Sequence, residues 1–186
     1  MPKHKTVFIV GLENVGKTTF AHMLQSEFGY REIAFADNLK KAAYDTNPYL
    51  EGGMYLADAV DRLGWEATKD EIEGARRFLE DFANKGIKDN FGQYFWADQV
   101  LNKISGAPSE RWAVSDLRFD EELHRAVELL GRENIITIKI VRGQEPKSLR
   151  RSQIFAKNHQ ADYTIDNNGT LDELREQVRK LRKVLS

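Results

Sequence analysis

The feature that most constrains this chain is the stretch GLENVGKT at residues 11–18, which fits the spacing G-x-x-x-x-G-K-[ST] without a gap. It follows the apolar run 7–10 and precedes a segment, 19–24, that suits a helix. A strand, a glycine-rich loop and a helix in this order predict a loop whose backbone N–H groups surround a phosphate group, with the positive end of the helix behind it. The sequence therefore predicts a site for the phosphates of a nucleotide.

Two side chains of this loop have clear chemical roles. Lys17 has the length and charge to reach the β- and γ-phosphates, and the hydroxyl of Thr18 is an oxygen ligand for Mg²⁺. The residues predicted to bind the nucleotide are Gly11, Asn14, Val15, Gly16, Lys17, Thr18 and Thr19.

Composition excludes several other kinds of protein. The 186 residues, 41% of them hydrophobic, suffice for a single domain over residues 1–186 with its own core. With 28 basic and 29 acidic residues, the net charge of −1 gives no field for wrapping nucleic acid, so no nucleic-acid partner is expected. The absence of cysteine excludes disulfides and thiolate metal sites. No stretch has the length of a membrane span or the pattern of a signal peptide, so we expect a cytoplasmic protein without a membrane partner.

Five short apolar segments, each followed by a helical pattern, define the expected fold. The predicted strands cover residues 7–10, 31–36, 111–115, 135–141 and 161–165. Strands that alternate with helices predict an α/β protein with a parallel sheet and helices on both faces. Ligands of such sheets gather at the carboxyl ends of the strands, where Gly11, Asp37, Asp116 and Arg142 are expected.

The predicted helices follow from apolar periodicity and from capping residues. Asp37 is expected to cap a helix over 39–44, and Gly29 and Gly131 are expected to end two other helices. Between residues 49 and 64 only a short helix over 56–60 is expected. Further helices are predicted over 69–83, 94–104, 120–130 and 170–185.

Asp116 and Arg118 are the first candidates for catalysis outside the loop. Asp116 directly follows a predicted strand, where a carboxylate can hold the Mg²⁺ shell or the acceptor nucleophile. Helix capping is the alternative role for such an aspartate. Arg118, two residues later, adds a phosphate clamp that capping does not need, which favours the functional interpretation.

Two further basic groups suit phosphoryl transfer. Arg76 and Arg77, taken with Trp96 downstream, suggest a pocket that stacks a base and binds a phosphate, although an arginine pair is more often a solvated face. The polar segment 142–160 carries Arg142, Arg150 and Arg151. A loop that closes with these arginines would bring positive charge to the migrating group and exclude water.

Several matched stretches, taken in order, resemble one family. They are the loop at 11–18, FADNLK at 35–40, RRFL at 76–79, FGQYFW at 91–96, VSDLRFDEE at 114–122 and ADYTIDNNGTL at 161–171. In this set the chain resembles the bacteriophage-type deoxynucleoside monophosphate kinases of the P-loop nucleoside monophosphate kinase superfamily. The phosphate loop alone is shared by many NTPases, whereas the Arg-Arg to Phe-Gly-x-x-x-Trp block followed by Asp-x-Arg is more particular.

The resemblance implies a fold, a reaction and a set of roles. The fold would be a three-layer P-loop NTPase fold with a five-stranded parallel sheet, a helical acceptor-binding insertion over about 38–105 and a small lid over about 142–160. The reaction would be Mg²⁺-dependent transfer of the ATP γ-phosphoryl group to a (deoxy)nucleoside 5′-monophosphate, in the host cytoplasm for a phage-encoded enzyme.

The roles that the resemblance implies divide among three sets. The catalytic residues would be Lys17, Asp116, Arg118, Arg150 and Arg151. The family often carries a His and a Glu in the lid, whereas this chain has KSLRRSQ at 147–153. The roles of Arg150 and Arg151 are therefore inferred from their charge. Arg142 would join the loop at ATP, and Thr18 and Asp116 would hold the metal. The acceptor-binding set would be Asp37, Leu39, Lys40, Arg76, Arg77, Trp96, Asp116, Arg118 and Glu122.

Two other functions are compatible with a phosphate loop. A GTPase switch is suggested by the D-x-x-G outline at Asp61-Arg62-Leu63-Gly64, but no apolar strand precedes it and no N-K-x-D follows. A kinase of another small acceptor, such as dephospho-coenzyme A or a polynucleotide end, is the other alternative. The tyrosines Tyr44, Tyr49 and Tyr55 are candidates for a homodimer interface.

Overall fold

The computed structural model describes residues 4–143 and 150–185. Within these residues the chain divides into two compact units, Met1–Phe35 with Ala97–Ser186 and, between them in sequence, Ala36–Trp96. We call them the sheet unit and the helical unit. The helical unit overlaps the predicted insertion over 38–105. The predicted lid over 142–160 lies partly outside the described residues, because 144–149 are not among them.

The described part of the sheet unit contains a five-stranded parallel sheet. Its strands are β1 (Thr6–Val10), β2 (Arg31–Ile33), β3 (Trp112–Val114), β4 (Ile135–Val141) and β5 (Tyr163–Asp166). They are ordered β2-β3-β1-β4-β5, and every neighbouring pair is parallel. The predicted α/β class with a five-stranded parallel sheet is therefore confirmed. β2 ends earlier than predicted because the N–H of Phe35 donates to the side chain of Asp116 instead of extending the strand.

The helices have the following bounds. They are α1 (Lys17–Phe28), α2 (Ala36–Thr46), α3 (Leu56–Glu71), α4 (Ala75–Asp81), a π-helix (Phe82–Lys88), α5 (Asp89–Phe91), α6 (Phe95–Gly106), α7 (Asp120–Leu130), a 3-10 turn (Arg132–Asn134), α8 (Arg151–Asn158), α9 (Leu171–Lys180) and α10 (Arg182–Leu185). Gly29 ends α1 in the left-handed conformation, as its position in the sequence predicts. Thr170 begins α9 by accepting a hydrogen bond from the N–H of Glu173, whose carboxylate accepts one from the N–H of Thr170.

Three sequence predictions about the helices are wrong. Asp37 lies inside the first turn of α2 and does not cap it, since that helix begins at Ala36. The short helix expected at 56–60 extends through α3, which continues beyond a kink at Gly64, where φ is 76° and ψ is 166°. The helix expected over 69–83 is interrupted at residues 72–74, and Gly74 begins α4 with a φ of 82°. The apolar spacing of 69–83 continues across residues 72–74 and does not reveal that break, whereas Gly64 predicts an interruption of the helix, which in fact continues past it with a kink.

Both faces of the sheet are covered by helices of the sheet unit. Val7 and Ile9 of β1 pack with α1, α9 and α10 on one face, whereas Phe8 and Val10 pack with α6, α7 and α8 on the other. All five residues of β1 are buried, which is what a central strand of a three-layer fold requires. This packing fixes the carboxyl end of β1, and the loop that follows it, in the middle of the sheet.

The helical unit has a small core of its own. Ala43, Leu50, Leu56, Ala75 and Leu79 are buried together, and partly buried aromatic side chains pack around them. No helix in residues 4–143 and 150–185 is long and apolar enough to span a bilayer.

Candidate phosphate and acceptor sites

The phosphate loop has the backbone shape that its glycines predict. Gly16 is left-handed with a φ of 95°, and Asn14 is left-handed with a φ of 61°. At Gly11 a Cβ atom would lie 2.7 Å from the carbonyl oxygen of Ile140 in β4, so only glycine fits this close approach. α1 begins at Lys17, directly behind Gly16, so the amino end of a helix, where the first N–H groups have no partner within the helix itself, lies beside the loop.

Lys17 bridges the two ends of the loop. Its Nζ atom donates to the carbonyl oxygens of Gly11, at 3.0 Å, and Leu12, at 2.6 Å. The ammonium group is therefore held beside the loop. Thr18 and Thr19 are exposed at the first turn of α1. These positions agree in geometry with the predicted nucleotide contacts, whose roles stay predictions.

Asp116 lies beside the loop on the neighbouring strand. Phe8 of β1 is paired with Val114 of β3, so Asp116 follows β3 at the level where β1 ends. Its carboxylate is buried, 8% of the residue being exposed, and Oδ1 accepts a hydrogen bond of 2.7 Å from the N–H of Phe35. Asp116 thus holds Phe35, which follows β2, and it lies at the edge of the sheet where the sequence predicts ligands.

The donor set at this edge fits a magnesium ion. Thr18 offers a hydroxyl and Asp116 a carboxylate, which are the oxygen ligands that Mg²⁺ prefers. Mg²⁺ commonly uses one or two protein ligands and completes its shell with phosphate oxygens and water. No cluster of three or more His, Cys, Asp or Glu suited to a metal occurs in the described residues, and the role of Thr18 and Asp116 stays a prediction.

Arg118 and Glu122 occupy the start of α7 in different ways. Oε2 of Glu122 accepts hydrogen bonds from the N–H groups of Arg118, at 2.8 Å, and Phe119, at 3.2 Å. This carboxylate therefore caps α7, and its predicted contact with the acceptor would be additional to that structural role. The side chain of Arg118 is exposed, which suits its predicted contact with phosphate.

The two lid arginines are paired with acidic side chains. Nη1 of Arg150 lies 3.7 Å from Oε1 of Glu13 in the phosphate loop. Nη2 of Arg151 donates to Oε2 of Glu121 at 2.8 Å, and its guanidinium lies 5.3 Å from the centre of the Phe119 ring. All five side chains belong to the sheet unit, so the structure brings Arg150 to the loop and Arg151 to α7. Arg142 is exposed directly after β4.

The far end of α8 is fastened to β4. Nζ of Lys139 donates to the carbonyl oxygens of Lys157, at 2.7 Å, and His159, at 3.2 Å. A cation at the last carbonyl groups of a helix is also favoured by the helix dipole. Burial lowers the pKa of Lys139 from its usual value, and burial likewise lowers the pKa of His159. α8 therefore has a fixed carboxyl end, whereas its amino end carries the exposed Arg150 and Arg151.

The predicted acceptor residues lie in the helical unit, apart from Asp116, Arg118 and Glu122. Arg76 forms an ion pair with Asp70, and Arg77 forms one with Glu51. Both arginines line an open cavity of about 520 Å³. Nζ of Lys40 lies 5.9 Å from the centre of the Trp65 ring. Asp37 is exposed and Leu39 is half-buried.

Trp96 is held within the helical unit by its neighbours. Its indole Nε1 donates to the carbonyl oxygen of Ala83 at 3.3 Å, and its ring centre lies 5.0 Å from that of Phe95 and 6.5 Å from that of Phe82. Only 8% of the residue is exposed. Through these contacts Trp96, at the start of α6, packs against the π-helix. Its place in a base pocket stays a prediction.

The D-x-x-G stretch does not have the setting of a GTPase switch. Asp61, Arg62, Leu63 and Gly64 lie within α3, with Asp61 accepting a hydrogen bond of 2.9 Å from the hydroxyl of Tyr44. Asp61 therefore does not follow a strand, which the D-x-x-G interpretation requires. Of the other tyrosines, Tyr49 and Tyr55 pack edge to face with ring centres 5.1 Å apart and stay exposed, and their predicted interface is untested.

Comparison with known proteins identifies the fold. No family model matches the sequence, and no curated protein matches it either. Among solved structures, the chain is similar to a gluconokinase from Sinorhizobium meliloti 1021, with a TM-score of 0.53 and 10% identity over 100% of this chain and 95% of that one. A dephospho-CoA kinase from Campylobacter jejuni gives 0.51 and 17% identity over 98% and 97%. A sugar kinase from Janibacter sp. HTCC2649 gives 0.51 and 15% identity over 97% and 94%.

The chain has a P-loop kinase fold. Sequence identities this low support a shared fold and do not identify the acceptor substrate. The shared fold, a five-stranded parallel sheet with helices on both faces, is the one that the resemblance in the sequence implied.

Sequence reasoning gave no role to two residues at the phosphate loop, Glu13 within the loop and Asn167 in contact with it. Glu13 was passed over as a variable position of the motif, although it pairs with Arg150. Asn167 lies in a stretch that resembles the family but has no predicted role, although its Nδ2 atom donates to the carbonyl oxygen of Val15 at 2.8 Å. The available signal was the polar run Asp166-Asn167-Asn168 directly after a strand, a place where side chains reach the ligand edge of the sheet.

Proposed function

We propose that this protein is a Mg²⁺-dependent phosphotransferase that moves the γ-phosphoryl group of ATP to a (deoxy)nucleoside 5′-monophosphate. The observation that carries the proposal is the shape of the loop at 11–18, with left-handed Gly16 and the amino end of α1 directly behind it. Backbone N–H groups arranged in this way bind phosphate with little dependence on side chains. The roles of ATP and of the acceptor are inferred from this loop and from the resemblance.

The side chains near the loop suit the electrostatic needs of the reaction. Phosphoryl transfer depends mainly on the positioning of the groups and on stabilisation of charge on the migrating phosphoryl group. Lys17 would contact the β- and γ-phosphates, and Thr18 and Asp116 would hold Mg²⁺, which neutralises phosphate charge when bound. Arg118 and Arg142 are exposed cations at strand ends of the same unit.

The lid arginines are proposed to exchange partners when nucleotide binds. Both of their ion pairs have exposed members: Arg150 is 43% and Glu13 48% exposed, and Arg151 is 74% exposed. Exposed pairs of this kind contribute about 0–1 kcal/mol, so phosphate oxygens can replace the carboxylates at small cost. Arg150 and Arg151 would then supply charge to the migrating group, as inferred from the sequence.

The choice of a nucleoside monophosphate as acceptor is supported by residues of the helical unit. Arg76 and Arg77 line one cavity and stand in the Arg-Arg to Phe-Gly-x-x-x-Trp block on which the resemblance depends. An arginine fork binds phosphate oxygens in two-pronged geometry. We assign Arg77 to the acceptor phosphate or base, with Leu39, Lys40 and Trp96 as further acceptor residues.

A panel of acceptors tests the proposal. Purified protein is incubated with ATP and Mg²⁺, and ADP is measured with dAMP, dGMP, dCMP, dTMP and modified monophosphates in turn. Dephospho-coenzyme A and gluconate are included because structures with this fold carry the names dephospho-CoA kinase and gluconokinase. ADP formation that depends on a nucleoside monophosphate is the expected result.

Two other outcomes would contradict the proposal at different levels. Equal ADP formation with and without any acceptor would replace the kinase by a plain NTPase. Transfer only to dephospho-coenzyme A or gluconate would keep the phosphotransferase and overturn the nucleotide acceptor.

A further inference from the structure

We propose that Asn167 is a positioning residue that aims a backbone N–H group of the phosphate loop through its side-chain amide. The proposal deepens the proposed function, because it takes the loop to be the site where the phosphates of ATP bind. Asn167 lies in the loop between β5 and α9, far from the phosphate loop in sequence, and its Nδ2 atom donates to the carbonyl oxygen of Val15 at 2.8 Å.

The hydrogen bond is made from a fixed and buried position. The backbone N–H of Asn167 donates to the carbonyl oxygen of Val141, at the end of β4, at 2.8 Å. Only 8% of the residue is exposed, and the bond to Val15 is buried. A hydrogen bond shielded from water is stronger than an exposed one and holds its geometry more tightly. Asn167 therefore connects the end of β4 to the phosphate loop.

The flanking residues keep Asn167 in place. Oδ1 of Asp166 accepts from the N–H of Asn168, at 2.8 Å, and from its side-chain amide, at 2.7 Å. The side chain of Gln177 in α9 donates to the carbonyl oxygen of Asp166 at 2.6 Å. Oδ1 of Asn168 accepts from the N–H of Gly143 at 2.8 Å. The amide of Asn167 is thus presented from a loop tied to α9 and to the chain after β4.

The bond to Val15 determines a direction at the next residue. The carbonyl group of Val15 and the N–H group of Gly16 belong to one planar trans peptide unit, in which they point to opposite sides. An amide that fixes the oxygen on the side of β5 therefore turns the N–H of Gly16 away from β5. This N–H is one of the groups of the G-x-x-x-x-G-K motif that would surround a phosphate.

Gly16 and Asn167 also fit each other sterically. A Cβ atom at residue 16 would lie 2.4 Å from Nδ2 of Asn167, so the amide occupies the space that a side chain would need. The second glycine of the motif thus has a partner in the loop after β5 as well as a left-handed backbone. The two observations, hydrogen bond and close contact, involve the same Nδ2 atom.

Asn167→Asp tests the proposal, because it keeps the size of the side chain and replaces the donor by a carboxylate oxygen facing the Val15 carbonyl. Affinity for Mg²⁺-ATP and Mg²⁺-ADP is measured by calorimetry, without any acceptor, and the melting temperature is measured without nucleotide. We expect binding of both nucleotides to weaken about tenfold, the effect of one buried hydrogen bond. The KM for the acceptor should not change.

Matched variants separate positioning from folding. Asn102→Asp, on the exposed surface of α6, makes the same change of side chain and should keep the affinity of the natural protein. Asn167→Ser withdraws the donor from Val15 without adding a charge, and it takes the place of Asn167→Asp if that variant does not fold. Unchanged nucleotide affinity in a folded Asn167 variant would overturn the positioning role. If the natural protein itself bound neither nucleotide, the proposed function would fail first.

Discussion

The phosphate loop and the arginine pair at 76–77 are built on different principles. In the loop, the groups that would contact a ligand belong to the backbone. Its conformation is restricted by left-handed Gly16 and by the close approach of Gly11 to Ile140. Arg76 and Arg77 offer contacts from side chains, and both are paired with carboxylates of their own unit, Asp70 and Glu51. Backbone geometry is fixed before a ligand arrives, whereas a side-chain contact competes with other partners.

This difference indicates which of the two regions can determine specificity for a substrate. A backbone cradle recognises phosphate in any nucleotide, so it identifies the donor site in general terms. Arg77 and Trp96 are proposed to discriminate between acceptors, and each already has a partner in the helical unit. Changes in the loop should therefore affect every reaction of the protein, and changes in the arginine pair should affect the acceptor selectively.

The largest effect is expected from Lys17→Ala, since this ammonium group is the charged part of the cradle. Loss of one such stabilising group costs about 100- to 1000-fold in rate, so transfer should fall by at least that order. ADP formation with the preferred acceptor is the measurement. Lys183→Ala, an exposed change in α10, is the control and should leave the rate unaltered. Full activity of Lys17→Ala would remove the loop from the reaction.

Gly16→Ala should affect both stability and nucleotide binding. The left-handed φ of 95° and the close contact with Asn167 both oppose a side chain, and such strain costs about 1–3 kcal/mol of the free energy of unfolding. Urea unfolding gives the stability and calorimetry the affinity. Gly106→Ala, where a Cβ atom meets no neighbour within 4 Å, should change stability by less than about 1 kcal/mol. Equal behaviour of the two variants would refute the backbone argument.

Arg77→Ala should raise the KM for the acceptor about tenfold, as expected for a lost charged hydrogen bond, and leave the KM for ATP unaltered. Steady-state kinetics with each substrate varied in turn give both constants. Arg62→Ala removes an exposed arginine from α3 and serves as the matched control. If acceptor kinetics were the same in Arg77→Ala and the natural protein, the assignment of the pocket would have to be withdrawn.

Asp162→Asn should have the smallest effect on activity, because Asp162 lies beside Thr137, toward the start of β4, away from the ligand edge. Burial acts to raise the pKa of Asp162, but hydrogen bonds from the amide and hydroxyl of Thr137 and from Arg132 outweigh it and hold the pKa below its usual value. A lowered pKa stabilises the folded state above the unfolded pKa, and this contribution is lost as pH falls through the folded pKa.

The variant should therefore be less stable than the natural protein at neutral pH, by about 1–3 kcal/mol for a charged hydrogen-bond group. The difference should shrink in unfolding experiments carried toward pH 3, below the usual pKa of an aspartate, which is about 3.9. Asp172→Asn, at a side chain that is 93% exposed, is the control. A stability difference that is independent of pH would contradict the proposed charge effect, and a change in acceptor KM would show that the framework and the site are coupled.

Much of the fold could be predicted where its signals are local. The bounds of β4 and of α7 agree with their patterns, and α1 ends before Gly29 as expected. The bounds of α3 and α4 could not be predicted, because the helix continues past Gly64 with a kink, and because apolar spacing continues across residues 72–74 where the helix is interrupted. Local periodicity records which face is buried and does not record where the axis of a helix changes.

The same distinction between local and long-range signals applies to the candidate site. The loop at 11–18 was predictable residue by residue, since glycine spacing encodes backbone conformation over a few positions. The partners of the charged residues were not, because Glu13 could meet Arg150, and Arg77 could meet Glu51, only after the chain had folded. A charged residue in a sequence indicates what kind of contact it can make, but it does not indicate which residue it contacts.

By itself the sequence determined the phosphate loop, the alternation of strands and helices, and the aspartate that follows β3. The tertiary structure alone decided the strand order β2-β3-β1-β4-β5, the packing of Trp96, and the amide of Asn167 against Val15. The physical reason is distance along the chain. A motif fixes the conformation of neighbours through their own backbone, whereas Asn167 and Val15 are 152 residues apart and meet only because β4 and β5 lie side by side with β1 in one sheet.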